Sequence, residues 1–163
     1  MSDLKVVSNA GPLISLSSIN QLNLLKLLFG TVFIPQAVYR EVVILGDNRP
    51  GQTEVLKADW IRQLNVGSTA MSRLMLDKLD EGESESIVLA SDLNADYIIL
   101  DEKLARRKAK RIGLSVVGTL GIFLMAKKAD HIQDVASLLA DLEKTPFRMD
   151  NRIRLKILEK AGE

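Results

Sequence analysis

Cysteine is absent from this chain of 163 residues, and aromatic side chains make up only 4% of it. Without cysteine there can be no disulfide framework, no thiolate nucleophile and no zinc site with cysteine ligands. Because aromatic side chains are few, recognition of single-stranded nucleic acid by base stacking has little support. The lack of cysteine is compatible with a reducing cytosol.

Long apolar runs and a strong charge of one sign are also missing. Runs such as YIIL and VVIL are far too short to span a bilayer, and MSDLKVVS lacks the basic-then-apolar layout of a signal peptide. The formal net charge is only +1, so any binding of nucleic acid must rely on local patches. We expect a soluble, cytoplasmic protein with no membrane association. Its length fits a single domain over 1–163, with a core at about 4–128 and a helical tail at about 129–163.

Short, continuously apolar segments alternate with segments of helical spacing. Strands are predicted at 4–8, 31–34, 59–66, 97–100 and 114–117. Helices are predicted over 12–19, 21–29 with Asn20 as its N-cap, 36–45, a short stretch through Leu56, 71–79, 80–94, 102–112, 118–129 and most of the last thirty residues. This alternation predicts an α/β fold with a central parallel sheet of about five strands, covered by helices on both faces. Ligands of such sheets bind at the carboxyl ends of the strands.

Four polar residues are predicted to lie near that edge. Asn9 follows the first strand and Asp101 the fourth, while Glu41 and Glu83 lie on helices next to the second and fourth strands. Glu83 is at the start of the buried stripe of its helix, whereas Glu85 is turned away by about 160 to 200 degrees and is expected to face solvent. Carboxylate and amide oxygens together suit Mg²⁺ or Mn²⁺, ions that commonly activate water against a phosphodiester.

Each residue taken alone has a simpler explanation. Asn9 could be a turn residue beside Gly11 and Pro12, Glu41 a solvated helix position, Glu83 a first-turn acid favoured by the helix dipole. Asp101 could be the N-cap of the helix that follows it. None of these explanations accounts for all four residues falling near one edge, and periodicity alone leaves the choice open.

A dense basic stretch follows Asp101. Residues 103–111 contain six Lys or Arg in nine positions. The stretch could be a solvated helix face or a patch that contacts phosphates beside a metal site. The C-terminal RMDNRIRLKILEK is also basic and amphipathic, which is more typical of a docking helix or partner surface than of a catalytic element. Other chemistry has little support, since no phosphate-binding loop is present and the single histidine, His131, is remote from the predicted edge.

Several segments in order resemble the PIN-domain nucleases, and in particular the short prokaryotic VapC-like branch that opens V-S-[DN]-x-S-P-L-I. They are VVSNAGPLISLSSI, IPQAVYREV, GESESIVLASDLNADYIILDEKLAR and GTLGIFLMAKKA. The resemblance covers nearly the whole chain. It implies an α/β/α sandwich with an acidic pocket at the carboxyl edge of its sheet, which cleaves RNA with Mg²⁺ or Mn²⁺.

The resemblance also implies roles for individual residues. The family's four acidic positions fall on Asn9, Glu41, Glu83 and Asp101, with Glu85 a less favoured candidate for the third and Glu81 left open. The eighteen residues from Glu83 to Asp101 fit the family's helix-plus-strand spacing. The chain departs from the pattern at Asn9, which brings no charge, and at Gly11, which replaces a hydroxyl residue. Predicted contacts with the substrate are Lys103, Arg106, Arg107, Lys110 and the hydroxyl of Thr119.

Two hypotheses of different class follow. The first is a metal-dependent endoribonuclease that acts as the toxin of a toxin–antitoxin pair, with RNA as substrate, a small antitoxin protein as partner and, by resemblance, a homodimeric state. The second is a non-catalytic PIN-like module that binds RNA or a protein partner, which the uncharged Asn9 favours. A nucleotide- or phosphate-binding domain of doubly wound type is a third possibility.

Overall fold

The computed structural model describes residues 4–67, 70, 74 and 77–163. Its strands are β1 (Val6–Ser8), β2 (Val32–Pro35), β3 (Ile61–Leu64), β4 (Tyr97–Ile99) and β5 (Val116–Val117). Its helices are α1 (Ala10–Ser18), α2 (Asn23–Phe29), α3 (Gln36–Tyr39), α4 (Gln52–Lys57), α5 (Glu81–Asp92), α6 (Lys103–Arg111), α7 (Thr119–Lys128), α8 (Ala136–Glu143) and α9 (Asn151–Lys160). After α3 the chain continues in a wider, π-type turn over Arg40–Ile44. The helix predicted over 71–79 falls mainly outside the described residues.

The five strands form one parallel sheet in the order β3-β2-β1-β4-β5. Neighbouring residues of a strand point to opposite faces, so Val6 joins one apolar cluster while Val7 joins another. The first cluster packs α1, α2, α7 and α8 on one face of the sheet, and the second packs α5 and α6 on the other. The predicted α/β/α sandwich is therefore confirmed.

The strand order reverses direction at β1. The chain moves from β1 to β2 and β3 on one side, and later adds β4 and β5 on the other. The carboxyl ends of β1 and β4 are neighbours, and the Asn9 N–H donates to the Ile99 carbonyl at 3.0 Å. A reversal of this kind opens a crevice at the carboxyl edge of the sheet.

Two local predictions at the start of the chain were wrong. Asn9, Gly11 and Pro12 do not form a separate turn, because α1 begins at Ala10 with Asn9 as its extended N-cap residue. Proline is tolerated in a first turn, where its missing N–H has no helical partner to lose. Asn20 does not cap α2 either. It adopts a left-handed conformation with φ of 58° at the end of α1, and α2 begins at Asn23.

The two helices of the predicted tail are held differently. Helix α8 contributes Leu138, Leu139 and Leu142 to the first apolar cluster, so the core extends beyond residue 128. Helix α9 has no fully buried side chain. No helix in the described ranges is long and apolar enough to cross a membrane.

Candidate active-site cleft

A cleft of about 760 Å³ opens at the carboxyl edge of the sheet. One part of it, which we call the acidic end, is lined by Asn9, Glu41, Asp80, Glu83, Asp101 and Glu102. A second part, which we call the apolar arm, is lined by Leu120, Leu124, Phe147, Ile153 and Ile157. The cleft therefore brings all four predicted acidic positions to one opening, and it adds residues of the C-terminal helix that the sequence did not place there.

Asn9 stands at the floor of the acidic end. The residue is only 8% exposed, and its Oδ1 is one of two buried side-chain polar atoms that have no hydrogen-bond partner among the described residues. An unpaired buried amide oxygen costs about 1–3 kcal/mol. Such an atom is an acceptor held ready for a ligand.

Glu83 and Asp80 fix each other at the start of α5. The Glu83 N–H donates to Asp80 Oδ1 at 2.7 Å, and the Asp80 N–H donates to Glu83 Oε1 at 3.1 Å. This reciprocal arrangement is a capping box, and it orients both carboxylates at the acidic end. Asp80 was not predicted as a site residue. The spacing Asp80-x-x-Glu83 is the sequence signal that could have revealed it.

Glu41 reaches the acidic end from the π-type turn, a feature often found at functional sites. Gly82 shows how close the oxygens come. A methyl group placed on its Cα would lie 3.3 Å from Glu41 Oε1 and 3.4 Å from Asn9 Oδ1, and Asp80 Oδ1 is 3.6 Å from the same point. Three oxygens from three separate elements therefore surround a glycine whose missing side chain leaves room between them.

Asp101 is held by the helix that follows β5. The Thr119 N–H donates to Asp101 Oδ1 at 2.8 Å, and the Thr119 hydroxyl donates to Oδ2 at 2.6 Å. The prediction that Asp101 caps α6 was wrong, because Glu102 is the N-cap and accepts from the Ala105 N–H. Thr119 is fully buried, so its placement favours a role in positioning Asp101 over direct contact with a substrate.

Arg106 lies beside Asp101 in the cleft wall. Its Nη1 donates to the Leu100 carbonyl at 2.8 Å. A Cβ on Gly118 would come within 2.7 Å of this nitrogen and 2.9 Å of Asp101 Oδ1, so both side chains pack directly against the glycine backbone. The cation is thereby fixed next to the acidic end.

Two glutamate carboxyl groups of the acidic end have pKa values raised above the usual value. Burial raises the pKa of Glu41, the nearby Asp80 carboxylate raises it further, and Arg49 opposes both. Burial also raises the pKa of Glu83, while the hydrogen bond from the Asp80 N–H lowers it. The negative charges of Asp80, Glu102 and Glu41 add to the increase. Although Glu41 as a whole residue is exposed, its carboxyl group is the part that faces the protein, so loss of hydration still dominates there.

The pKa of Asp101 is also raised, although other groups oppose the increase. Burial raises its pKa, while the two hydrogen bonds from Thr119 and the charge of Arg106 lower it. Crowded carboxyl groups with raised pKa values are the condition that a bound cation relieves, since a cation favours the charged forms.

The residues fit a divalent cation by their chemistry. The donors are hard oxygens, one of them is a buried acceptor without a partner, and the carboxyl groups gain from a positive charge. Within residues 4–67, 70, 74 and 77–163, however, no three acidic or histidine side chains converge closely enough to form a metal site as they stand. A cation held by these residues would therefore have to keep several waters of its own.

Glu85 and Glu81 have other surroundings. Glu85 does not face solvent as predicted, because its Oε1 accepts from the Ala37 N–H at 3.1 Å and so stabilises the start of α3. Glu81 is exposed, with Oε1 3.9 Å from Arg40 Nη1. Neither residue lines the cleft.

The basic stretch forms α6, and Ala105 and Ala109 lie on the buried face of this helix. Among its predicted substrate contacts, Arg106 lines the cleft, whereas the remaining cations are exposed on the outer surface of the helix: Lys103, Arg107 and Lys110. One helix thus provides one cation that lines the cleft and others on its exposed surface.

Comparison with known proteins agrees with this architecture. A family model described as a PIN domain matches residues 5–163, which is nearly the whole chain. A search of curated proteins finds no significant match.

Proposed function

This chain belongs to the PIN-domain family, and we propose that it is a metal-dependent endoribonuclease whose active site is the acidic end of the cleft. PIN domains are generally metal-dependent nucleases. The observation that carries the proposal is the unpartnered, buried Asn9 Oδ1, which lies with Glu41 and Asp80 oxygens around Gly82. An oxygen cluster of this kind is costly unless a cation occupies it.

Asn9, Glu41, Glu83 and Asp101 would hold Mg²⁺ or Mn²⁺ in this proposal. When bound, such an ion would lower the pKa of water and offset negative charge on a phosphate. Thr119 keeps Asp101 in one orientation through its N–H and hydroxyl, and the Asp80 N–H does the same for Glu83. Orientation of this kind removes the cost of reorganising the site during reaction.

Arg106 would contact a phosphate oxygen of the RNA. Its Nη1 is occupied by the Leu100 carbonyl, which leaves the other guanidinium donors for a ligand. Lys103, Arg107 and Lys110, exposed on the same helix, would attract the neighbouring phosphates through their charge. Binding through these residues should therefore weaken as salt concentration rises.

We further propose that the protein is a VapC-like toxin, bound by a small antitoxin protein in the cytoplasm, and a homodimer. The support is the opening VVSNAGPLI and the order of the segments that follow it. The alternative is a catalytically weak or inactive module that binds RNA or a protein partner. Two observations favour that alternative: Asn9 brings no charge, and no three acidic side chains of the described residues converge.

A cleavage assay separates the two. A labelled single-stranded RNA would be incubated with the protein and Mg²⁺ or Mn²⁺, and a parallel reaction would contain EDTA. The same reactions would be run with the variant Asp101→Asn and with Asp59→Asn, which changes an exposed aspartate outside the cleft. A nuclease should show metal-dependent cleavage that falls about 100-fold or more in Asp101→Asn and is unchanged in Asp59→Asn. RNA binding without any cleavage would favour the module, and the absence of both would exclude the nuclease and leave only a module that binds a protein partner.

A further inference from the structure

The cleft is larger than a hydrated cation needs. A hexahydrated ion occupies about 180 Å³ at roughly 30 Å³ per water, whereas the cleft has a volume of about 760 Å³. Clefts of several hundred Å³ usually hold an organic ligand or part of one. Most of this cleft is therefore free for something other than the ion.

The walls of the arm are aliphatic with one aromatic ring. Leu120 and Leu124 come from α7, Ile153 and Ile157 from α9, and Phe147 from the segment between α8 and α9. Ile153 is 44% exposed, and the other four are partly buried. The small number of aromatic residues gave base stacking little support from composition, but one of the seven, Phe147, lines this cleft. A partly exposed apolar surface thus shares one cleft with the carboxylates of the acidic end.

Cations border the arm. Arg148 and Lys160 both line the cleft and are exposed, and neither takes part in an ion pair with another described residue. Arg106 lines the same cleft and packs beside Asp101 against Gly118. A ligand that matches this lining carries negative charge along its edge and a flat apolar group at its centre. A nucleotide has this chemistry, with its phosphates for the cations and its base for the apolar walls.

Resting on the proposed nuclease function, we propose that the apolar arm is a base-binding subsite. It holds one unpaired nucleobase of the RNA adjacent to the cleaved phosphate, with the base against Phe147 and Ile153. Arg148 and Lys160 contact the phosphates on either side of that nucleotide. Because a base inside a duplex cannot reach such a pocket, the site selects single-stranded RNA.

The test measures binding rather than cleavage. The variant Asp101→Asn, which should not cleave, is titrated into fluorescent RNA oligonucleotides of about eight nucleotides that carry an abasic nucleotide at each position in turn. Fluorescence anisotropy gives the affinity for each. The expected result is one position at which loss of the base weakens binding about tenfold.

The variants assign this effect to the arm. Adding Phe147→Ala should abolish the difference between the intact and the abasic oligonucleotide, and Phe147→Leu should keep about half of it on a logarithmic scale while preserving apolar volume. Ile153→Ala should reduce the difference about threefold. Leu155→Ala is the matched control, because Leu155 is an exposed apolar residue on the same helix but does not line the cleft, and it should change nothing. Thermal unfolding of each variant shows whether the fold is intact.

Each other outcome overturns the proposal in a different way. If RNA binds but no abasic position matters, or if Phe147→Ala and Phe147→Leu weaken all oligonucleotides equally, there is no base subsite and the nuclease proposal stands by itself. If neither the unmodified protein nor Asp101→Asn binds any RNA, the proposed function has failed as well. If an acidic peptide with apolar side chains competes for the arm while abasic positions have no effect, the arm is a protein-docking groove.

Discussion

The acidic end and the apolar arm lie in one cleft, but the chain holds them by different means. At the acidic end the backbone sets the position of each oxygen, since Asn9 follows β1 and Asp101 follows β4, and hydrogen bonds from the Thr119 and Asp80 N–H groups orient the carboxylates. The outer wall of the arm is α9, a helix without a fully buried side chain.

Side-chain contacts hold α9 in place. Glu163 accepts from the Val135 and Ala136 N–H groups and from Lys127 Nζ, and Arg154 pairs with Glu143 at 2.7 Å. The part that would do chemistry is thus built on the rigid sheet edge, and the part that would select the substrate is attached to it. Substitutions in the two regions should therefore separate turnover from selectivity.

The largest contrast should come from two glutamates of α5. Glu83→Gln keeps the acceptor for the Asp80 N–H but removes a charge that burial opposes. We expect cleavage to fall about 100-fold or more, with Tm unchanged or raised by about 2–4 °C, the shift that roughly 1 kcal/mol produces.

Glu85→Ala is the matched change. It should lower stability by about 1 kcal/mol, because the Ala37 N–H at the start of α3 loses its acceptor, and it should leave turnover within a few-fold. Cleavage rates and thermal unfolding check both variants. The opposite pattern, with activity lost only in Glu85→Ala, would make Glu85 the third acidic ligand.

Asn9→Asp tests whether the acidic end binds a metal ion. The new carboxylate would stand where the unpartnered amide oxygen is now, so affinity for Mg²⁺ should rise and turnover should rise about tenfold. Without metal the variant should be less stable, because a further negative charge joins Glu41 and Glu83. Isothermal titration with Mg²⁺ and unfolding with and without the ion measure these changes. An unchanged rate together with unchanged metal binding would leave the non-catalytic module as the better hypothesis.

Gly82→Ala tests whether the space among the oxygens is used. The added Cβ would lie 3.3–3.4 Å from Glu41 Oε1 and Asn9 Oδ1, so the Glu41 side chain must move by a few tenths of an ångström. We expect Mg²⁺ binding to weaken several-fold while stability is kept or improved, because alanine favours a helix over glycine by up to about 1 kcal/mol. Gly11→Ala is the comparison, since Gly11 lines the same cleft but its Cβ would meet no atom within 4 Å and so would not displace the oxygens around Gly82. Equal effects on metal affinity in the two variants would show that no ligand occupies that space.

The sequence predicts the sheet well because parallel strands buried on both faces appear as short apolar runs, such as YIIL at β4. It also predicts Asn9 and Asp101 at one edge, since both follow strands directly. Periodicity gives only the angle of a residue around its own helix, so it predicted that Glu85 faces solvent. It does not indicate that the start of α3 contacts α5 at Glu85. The Thr119–Asp101 pair and the apolar arm depend on contacts between distant segments, which no local pattern contains.

Glu163→Gln tests how α9 is held against the rest of the protein, and it should have the smallest effect of the four predictions. Hydrogen bonds from Lys127 and Val135 hold the pKa of the Glu163 carboxyl at about 2, below its usual 4.5. A folded-state pKa below the unfolded value means that the carboxylate stabilises the fold fully above pH 4.5 and loses this contribution as the pH falls towards 2. The Tm difference between wild type and Glu163→Gln should therefore be largest near neutral pH and shrink in acid.

Glu159→Gln is the matched control for that measurement, because Glu159 is an exposed residue of α9 that makes none of the ion pairs between described residues. It should show no Tm difference at any pH. If α9 is attached rather than integral, Glu163→Gln should also weaken RNA binding slightly and leave Mg²⁺ affinity unchanged. A loss of Mg²⁺ affinity in this variant would mean that the acidic end depends on α9, and the distinction between the two regions of the cleft would have to be given up.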